Sequence, residues 1–346
     1  MIRVAINGFG RIGRLAFRKM INDKDIEVVA INDLTDSKML SYLLKYDTAE
    51  GIFSQNIKYD ENSIVVDNKV VKVFKESDPI NLPWKELNID IVLECTGVFK
   101  TKDLAIKHIN AGAKKVIISA PSSDDVKTIV YNVNHKEISK DDLIISASSC
   151  TTNALAPVCK LLEDNYGIEI GYMNTIHAYT NDQNLLDLPH KKGNLRRSRS
   201  APNNIVPSST GAASSIGKVI KSLDNKLQGG SFRVPVLTGS VVELTCELSK
   251  KVTKEEINEL FKNNQNETMC FIVDEIVSSD IIGSSYGSIF DGTLTSVIDL
   301  NGKQLIKVSA WYDNEMGYTM QMIRTIKYWG NLLWKEEEKN ILQDFI

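Results

Sequence analysis

The chain is poor in histidine and cysteine and has no long apolar run, and each shortage narrows what it can be. Its four histidines (His108, His135, His177 and His190) are scattered, and no Cys-x-x-Cys pair exists, so no metal site is expected. The five cysteines (Cys95, Cys150, Cys159, Cys246 and Cys270) are an odd number without regular spacing in 346 residues. That argues against a disulfide framework and for reduced thiols, hence a cytoplasmic setting. No apolar stretch approaches the roughly 20 residues that cross a bilayer, and the N-terminus enters a strand-like segment with no leader pattern. A net charge of −3 offers no field for a polyanion. Neither membrane nor nucleic acid is therefore expected as a partner. What is present, 42% hydrophobic and 25% charged residues, suits a globular protein of about two domains.

The N-terminus carries the first informative pattern. Residues 2–7 (IRVAIN) read as a buried parallel strand, and Gly8-Phe9-Gly10-Arg11-Ile12-Gly13 follows directly, with helical spacing over 14–22. Gly-x-Gly-x-x-Gly in a strand–turn–helix setting is a dinucleotide fingerprint. Its glycines allow a tight turn and close approach of a pyrophosphate, and the helix N-terminus supplies N–H donors. A second strand over 26–32 ends at Asp33, 20 residues past Gly13. A carboxylate there suits a ribose 2′-hydroxyl and repels a 2′-phosphate, which favours NAD over NADP.

Cys150 is the second. It follows the apolar run 143–149, read as a buried strand, and precedes helical spacing over 151–162. A thiol where a strand feeds a helix meets unpaired N–H groups and the positive end of the helix dipole, which favour the thiolate. The alternative is a small buried hydrophobe, although Ser148, Ser149, Thr151 and Thr152 would line an apolar core poorly. His177, inside the strand-like run 171–181, is either a satisfied core histidine or the thiol's proton carrier. His108, in a lysine-rich helical segment, and His135, in the polar stretch 132–140, are expected at the surface.

Five further blocks accompany these residues in order: Ser148-Ser149-Cys150-Thr151-Thr152-Asn153, His177-Ala178-Tyr179-Thr180-Asn181-Asp182-Gln183, Thr210-Gly211-Ala212-Ala213, Arg233-Val234-Pro235-Val236 and Trp311-Tyr312-Asp313-Asn314-Glu315-Met316. Together with residues 5–14 they resemble the phosphorylating glyceraldehyde-3-phosphate dehydrogenase family, in its NAD-dependent glycolytic form, over nearly the whole chain. The resemblance implies that Cys150 attacks an aldehyde to give a hemithioacetal and that His177 takes the hydroxyl proton as hydride leaves. Phosphate then releases the thioester as an acyl phosphate. It implies one anion site at Thr180, Asp182 and Arg233, and another at Ser149, Thr151, Thr210 and Gly211. Asp182, an acid near an anion, is expected to orient an arginine or a loop. For NAD it implies Gly8, Gly10, Arg11, Ile12, Gly13, Asp33, Thr96 and Ser119, with Asn314 on the carboxamide and Tyr318 beside the ring. Leu188-Pro189 agrees with NAD-specific members. The implied substrates are glyceraldehyde 3-phosphate and phosphate, and the implied assembly is a homotetramer.

The expected fold class is α/β: a doubly wound parallel Rossmann sheet over 1–149 and 315–346, with an α+β catalytic domain of mostly antiparallel strands over 150–314. Long strands are expected at 171–179, 231–248 and 303–311, with helices at 211–223 and 254–262. The second opens on a capping box, Thr253-Lys254-Glu255-Glu256. Three departures from the family stand out, one being that the usual three threonines appear as Ser208-Ser209-Thr210, with the phosphate contact kept on the third. The segment 190–197 is about two residues longer than the commonest form, and its basic cluster (Lys191, Lys192, Arg196, Arg197, Arg199) reads as an interface or anion-binding edge. The C-terminus continues past the usual end, and its apolar residues (Leu332, Leu333, Ile341, Leu342, Phe345, Ile346) are expected to pack on the N-terminal domain. Erythrose-4-phosphate dehydrogenase and a non-catalytic NAD-binding protein of the same fold are the alternative functions.

Overall fold

The fold, a computed structural model, describes residues 1–343, with side chains through 333. The expectation for Ile341, Leu342, Phe345 and Ile346 lies outside those side chains. The chain forms two compact units, Met1–Ser148 with the stretch from Thr319 on, and Ser149–Tyr318.

Among the described residues the first unit holds a nine-stranded sheet: β1 (Ile2–Asn7), β2 (Ile26–Asn32), β3 (Ile57–Tyr59), β4 (Ser63–Val66), β5 (Lys69–Phe74), β6 (Ile91–Glu94), β7 (Lys115–Ile118), β8 (Lys127–Thr128) and β9 (Ile144–Ser146). Their order is β3-β4-β5-β2-β1-β6-β7-β9-β8. The pairs from β5 to β8 are parallel, while β3 and β4 add an antiparallel edge. The near-continuous apolar runs of β1, β2, β6 and β7 are what a sheet covered on both faces requires. The helices α1 (Arg11–Met20), α2 (Ser37–Lys45) and α3 (Lys102–Asn110) connect these strands. On α1, Leu15, Ala16, Phe17 and Met20 are buried, an i, i+1, i+2, i+5 face. Trp84, Ala30, Val92, Val116 and Ala105 share one buried cluster.

The second unit begins with α4 (Cys150–Tyr166). Its eight-stranded sheet comprises β10 (Ile168–Ala178), β11 (Val206–Ser208), β12 (Leu227–Val234), β13 (Ser240–Leu248), β14 (Met269–Ile272), β15 (Ser288–Asp291), β16 (Ser296–Leu300) and β17 (Lys303–Tyr312). Its pairings are antiparallel apart from β10 with β12 and β14 with β15. The helices α5 (Ala212–Val219) and α6 (Lys254–Asn263) belong to this unit, and α7 (Met316–Gln343) is the last of the described elements. The capping box at α6 is complete: Thr253 accepts from the Glu256 N–H, and the Glu256 carboxylate accepts from the Thr253 N–H.

Four expectations need correction. The single strand over 231–248 is two, β12 and β13, because Pro235 offers no N–H to a ladder and the chain turns there. The strand expected over 143–149 is the shorter β9; Leu143 is exposed, and Ser148 stands at φ +60. His108 is not at the surface but fully buried. Together with Ala105, one helical turn earlier, it forms the inward face of α3, while the lysines occupy the others. His135 is half-buried, its ring 4.6 Å from that of Tyr131 and 4.8 Å from that of Tyr328.

Candidate active site

Cys150 is the first residue of α4. Ser149 caps the helix, its Oγ accepting from the Thr152 N–H at 3.1 Å. The Cys150 sulfur therefore sits among the unpaired N–H groups of a helix N-terminus, as its sequence position implies. His177 lies near the end of β10 with its Nε2 3.4 Å from the Cys150 Sγ. Arg233 faces His177 across the parallel β10–β12 ladder as its register partner, so the two side chains emerge side by side on one face. Arg233 Nη1 is 2.6 Å from His177 Nδ1 and donates to the Ala178 carbonyl at 3.0 Å.

Electrostatics keep both partners neutral at rest. Burial, reinforced by the Arg233 charge, pushes the His177 imidazole down to about 3. Burial also pushes the Cys150 thiol up, opposed by the Arg233 charge and by hydrogen bonds at Thr151. A neutral imidazole carries one N–H. On Nε2 that proton leaves Nδ1 to accept from Arg233 Nη1; on Nδ1, which is 2.7 Å from the Ala178 carbonyl oxygen, it is donated to the backbone and leaves the Nε2 lone pair facing sulfur. The latter tautomer can accept a proton from the thiol or from an adduct on it.

Tyr312 completes the cluster and was not singled out by its sequence position. Its buried hydroxyl lies 2.9 Å from Thr151 Oγ1 and 2.8 Å from Thr175 Oγ1, tying the start of α4 to β10. Its ring meets His177 edge-on at 5.9 Å. The Thr151 hydroxyl is thus held inward, and both it and the Thr151 backbone N–H act on the Cys150 sulfur. Asp182 pairs with Arg197, while the Asp182 carbonyl accepts from His190 Nε2 at 2.9 Å. Arg199 pairs with Asp187, so part of the basic cluster is neutralised within its own loop. Thr180 lies two residues past the end of β10. Thr210 Oγ1 accepts from the Ala212 N–H at 3.1 Å, and Gly211 precedes α5.

Asn314 has a fixed orientation. Its Oδ1 accepts from the Gly239 N–H at 3.1 Å and from Ser240 Oγ at 2.9 Å. Ser240 Oγ in turn accepts from the Ala178 N–H at 3.1 Å, so its proton must go to Asn314. With Oδ1 so held, Nδ2 is the donor end of the Asn314 amide. Thr238 and Ser240 are supporting residues that only the fold reveals. Tyr318 is buried in the first turn of α7.

In the first unit, Gly8, Asp33, Thr96 and Ser119 follow the carboxyl ends of β1, β2, β6 and β7, four adjacent strands. That end of an open parallel sheet is where ligands bind. Asp33 is held by the glycine loop itself, its Oδ2 accepting from the Phe9 N–H at 2.8 Å. Arg11 pairs with Asp47, and Ile12 lies half-buried beside it on α1. Gly8 needs its φ of +92 and abuts Thr96: a Cβ would lie 2.6 Å from the Thr96 nitrogen. Gly10 has nothing within 4 Å of an added Cβ. The fold itself does not require glycine there. The donor set fits a dinucleotide.

Comparison with known proteins agrees. Residues 2–102 match the family described as glyceraldehyde 3-phosphate dehydrogenase, NAD binding domain, and residues 149–314 match its C-terminal domain. The chain is 56% identical over 332 residues to a glyceraldehyde-3-phosphate dehydrogenase of Clostridium pasteurianum, covering 96% of this chain and 99% of that one. It is 52% identical over 333 residues to one of Streptococcus pyogenes, with the same coverage. With both halves matched and identity above one half along nearly all its length, the chain belongs to the glyceraldehyde-3-phosphate dehydrogenase family, NAD-dependent oxidoreductases acting on an aldehyde.

Proposed function

We propose that Cys150 and His177 oxidise glyceraldehyde 3-phosphate to an acyl phosphate, with NAD as oxidant and inorganic phosphate as second substrate. The observation that carries this is the 3.4 Å approach of the Cys150 sulfur to His177 Nε2 at the start of α4. The thiol passes its proton to His177 Nε2 as sulfur adds to the aldehyde carbon, the imidazolium returns that proton to the carbonyl oxygen to complete the hemithioacetal, and Nε2 takes the hydroxyl proton back as hydride leaves the carbon. Bound NAD supplies the hydride acceptor. The carbon is left as a thioester on Cys150, and phosphate oxygen attacks it, forming a C–O bond as the C–S bond breaks and the thiolate returns. Splitting the oxidation from the phosphate transfer replaces one difficult step by two easier ones.

Arg233 is suited to the substrate phosphate, since a guanidinium presents a forked, permanent charge; Thr180 supports it, and Asp182 acts by holding Arg197. Ser149, Thr151, Thr210 and Gly211 offer hydroxyls and N–H groups to the attacking phosphate. Gly8, Gly10, Arg11, Ile12, Gly13, Asp33, Thr96 and Ser119 would hold the dinucleotide, with Asn314 on its carboxamide and Tyr318 beside the ring. In this reading the cofactor domain is 1–149 with 315–346, and the catalytic domain is 150–314. We further place the enzyme in the cytoplasm as a homotetramer. The exposed Leu185, Leu186, Leu188 and Leu195 of one loop, and Ile170, Tyr172, Ile298, Leu300 and Leu305 on one sheet, are large apolar surfaces that assembly would cover. Size-exclusion chromatography with light scattering tests that assignment.

The functional test is NADH formation from glyceraldehyde 3-phosphate with and without inorganic phosphate, in parallel with erythrose 4-phosphate and with NADP. Phosphate-dependent turnover that prefers the triose and NAD is expected. Cys150→Ser should abolish oxidation and spare NAD binding. A Cys150→Ser enzyme with substantial turnover refutes the thiol assignment.

A further inference from the structure

A row of buried polar side chains runs across the carboxyl ends of three neighbouring strands. Asn32 ends β2, Asn7 ends β1 and Glu94 ends β6; Asn7 is the register partner of both others. All three are almost fully buried, as is His108. Glu76 bonds Asn32 through its backbone, N–H to Oδ1 at 2.8 Å and carbonyl from Nδ2 at 2.9 Å. Asn32 Nδ2 donates to Asn7 Oδ1 at 2.7 Å, and Asn7 Nδ2 donates to Glu94 Oε2 at 2.5 Å. His108 reaches the same Oε2 through Nε2 at 3.1 Å, and Trp84 Nε1 donates to His108 Nδ1 at 3.0 Å. The other Glu94 oxygen, Oε1, accepts from both the N–H and the hydroxyl of Thr96.

The donor pattern fixes the chemistry of the row. An indole N–H can only donate, so Nδ1 of His108 is its acceptor and the ring proton sits on Nε2, pointing at Glu94. The Glu94 oxygens therefore take four donors: Asn7, His108 and two from Thr96. A buried carboxylate that, among the described residues, is bonded by no lysine or arginine is costly unless such donors satisfy it. Apolar residues of similar volume in place of the whole row could be as stable, so stability alone does not account for it. The residues that follow its members are Gly8, Asp33 and Thr96, the candidate dinucleotide loops. Glu94 grips one of them directly and, through Asn7, sets where the Gly8 turn starts. Since Gly8 already touches the Thr96 backbone, a small shift of either loop changes the cradle.

We propose that Glu94 and His108 are positioning residues for the dinucleotide, acting through Thr96 and Asn7 without touching the ligand. The inference rests on the NAD-binding reading above. It predicts a separation of kinetic constants that loss of stability alone does not produce. His108→Leu keeps bulk but orphans the Trp84 N–H and one Glu94 lone pair. Its KM for NAD should rise roughly tenfold, about 1.4 kcal/mol, with kcat at saturating NAD within twofold of wild type. His108→Gln can restore both bonds, its amide N–H to Glu94 and its carbonyl from Trp84, and should bring KM back to within about threefold of wild type. Glu94→Gln, which turns an N–H toward existing donors, should raise KM(NAD) at least as much as His108→Leu.

The measurement is steady-state kinetics with NAD varied, together with NAD titration of intrinsic fluorescence and a thermal melt of each full-length variant. A His108→Leu enzyme with a lowered Tm and wild-type KM(NAD) overturns the proposal, as does a His108→Gln enzyme no better than His108→Leu. Should the buried variants not fold, Thr96→Val, at an exposed position, decides. It removes one bond to Glu94 and should raise KM(NAD) several-fold; a wild-type KM overturns the proposal. A wild-type protein that binds no NAD defeats the functional reading as well. A wild type that binds NAD beside a His108→Leu variant that binds it equally defeats this proposal alone.

Discussion

Gly10→Ala separates what the fold needs from what the ligand needs. No protein atom lies within 4 Å of the added Cβ, and Gly10 has negative φ as the residue preceding α1. Alanine is a poorer N-cap than glycine by roughly 0.5–1 kcal/mol. It also lowers the entropy of the unfolded chain, stabilising by about 0.4–1 kcal/mol. The two nearly cancel, so unliganded Gly10→Ala should melt within about 2 °C of wild type. Gly8→Ala is the contrasting change. Its Cβ would meet Thr96 N at 2.6 Å, the Cys95 carbonyl carbon at 2.8 Å and Thr96 Cα at 2.9 Å, all backbone, at φ +92. The backbone conformation costs roughly 1–2 kcal/mol and overpacking roughly 1–3 kcal/mol. That sum lowers Tm by roughly 4–20 °C at about 2–4 °C per kcal/mol. Thermal melts with and without NAD read both effects. At a concentration 100 times Kd, NAD stabilises wild type by about 2.7 kcal/mol. Gly10→Ala should lose most of that increment although its unliganded melt is normal. An undiminished NAD-induced rise in Gly10→Ala would show that no phosphate passes there, and a wild-type melt for Gly8→Ala would show that the Thr96 contact is not close.

Three other outcomes follow from the second unit. Tyr312→Phe removes the hydroxyl shared by Thr151 and Thr175 and should cost about 1–3 kcal/mol in urea unfolding, with a several-fold drop in kcat; unchanged stability would show that the two threonines find other partners. Arg233→Gln removes a positive charge that favours the Cys150 thiolate, so the pH profile of alkylation by iodoacetamide should move to higher pH, slowing alkylation at pH 7; a shift to lower pH would contradict this. His177 is held near 3 against an ordinary value of 6.5, so between those values the unfolded chain binds a proton that the native state refuses. Stability therefore rises with pH across that window and falls on acidification, at up to about 1.4 kcal/mol per pH unit from this group. His177→Asn should flatten the acid limb of a Tm–pH curve, and a limb as steep as wild type would remove His177 from the account.

The sequence was most legible where local pattern and tertiary role coincide. The strands over 2–7 and 26–32 were bounded correctly, because a buried parallel strand is an apolar run that ends where the loop must turn polar. The α6 capping box was legible for the same reason: its bonds span three residues. Cys150 and His177 could be nominated, but their approach could not be read, since it depends on how β10 and α4 pack. His108 shows the limit. Its neighbours Lys102 and Lys107 make the segment look solvated, and the partners that explain its burial, Trp84, Glu94 and Asn7, are distant in sequence. The turn at Pro235 was hidden by apolar residues on both sides. Tyr312 stood inside a quoted motif, yet its role required two threonines from other elements.

The same long-range placement explains how a buried thiol can be a nucleophile. Burial is the largest influence on Cys150 and acts against ionisation. The helix N-terminus, the Thr151 donors and the Arg233 charge act for it, but Arg233 also suppresses the imidazolium that would pair with a thiolate. One cation thus helps the anion and hinders its partner cation. An anionic substrate engaging Arg233 would spend part of that charge, easing protonation of His177 as the thiol loses its proton. If Arg233 holds the phosphate of the aldehyde, that phosphate would contribute to activation as well as to affinity. Glyceraldehyde without its phosphate should accordingly lose kcat as well as KM, by more than tenfold. In Arg233→Gln, which lacks the charge to be spent, the ratio of the two substrates' kcat values should shrink toward one. A ratio unchanged by that substitution would assign the phosphate to binding alone.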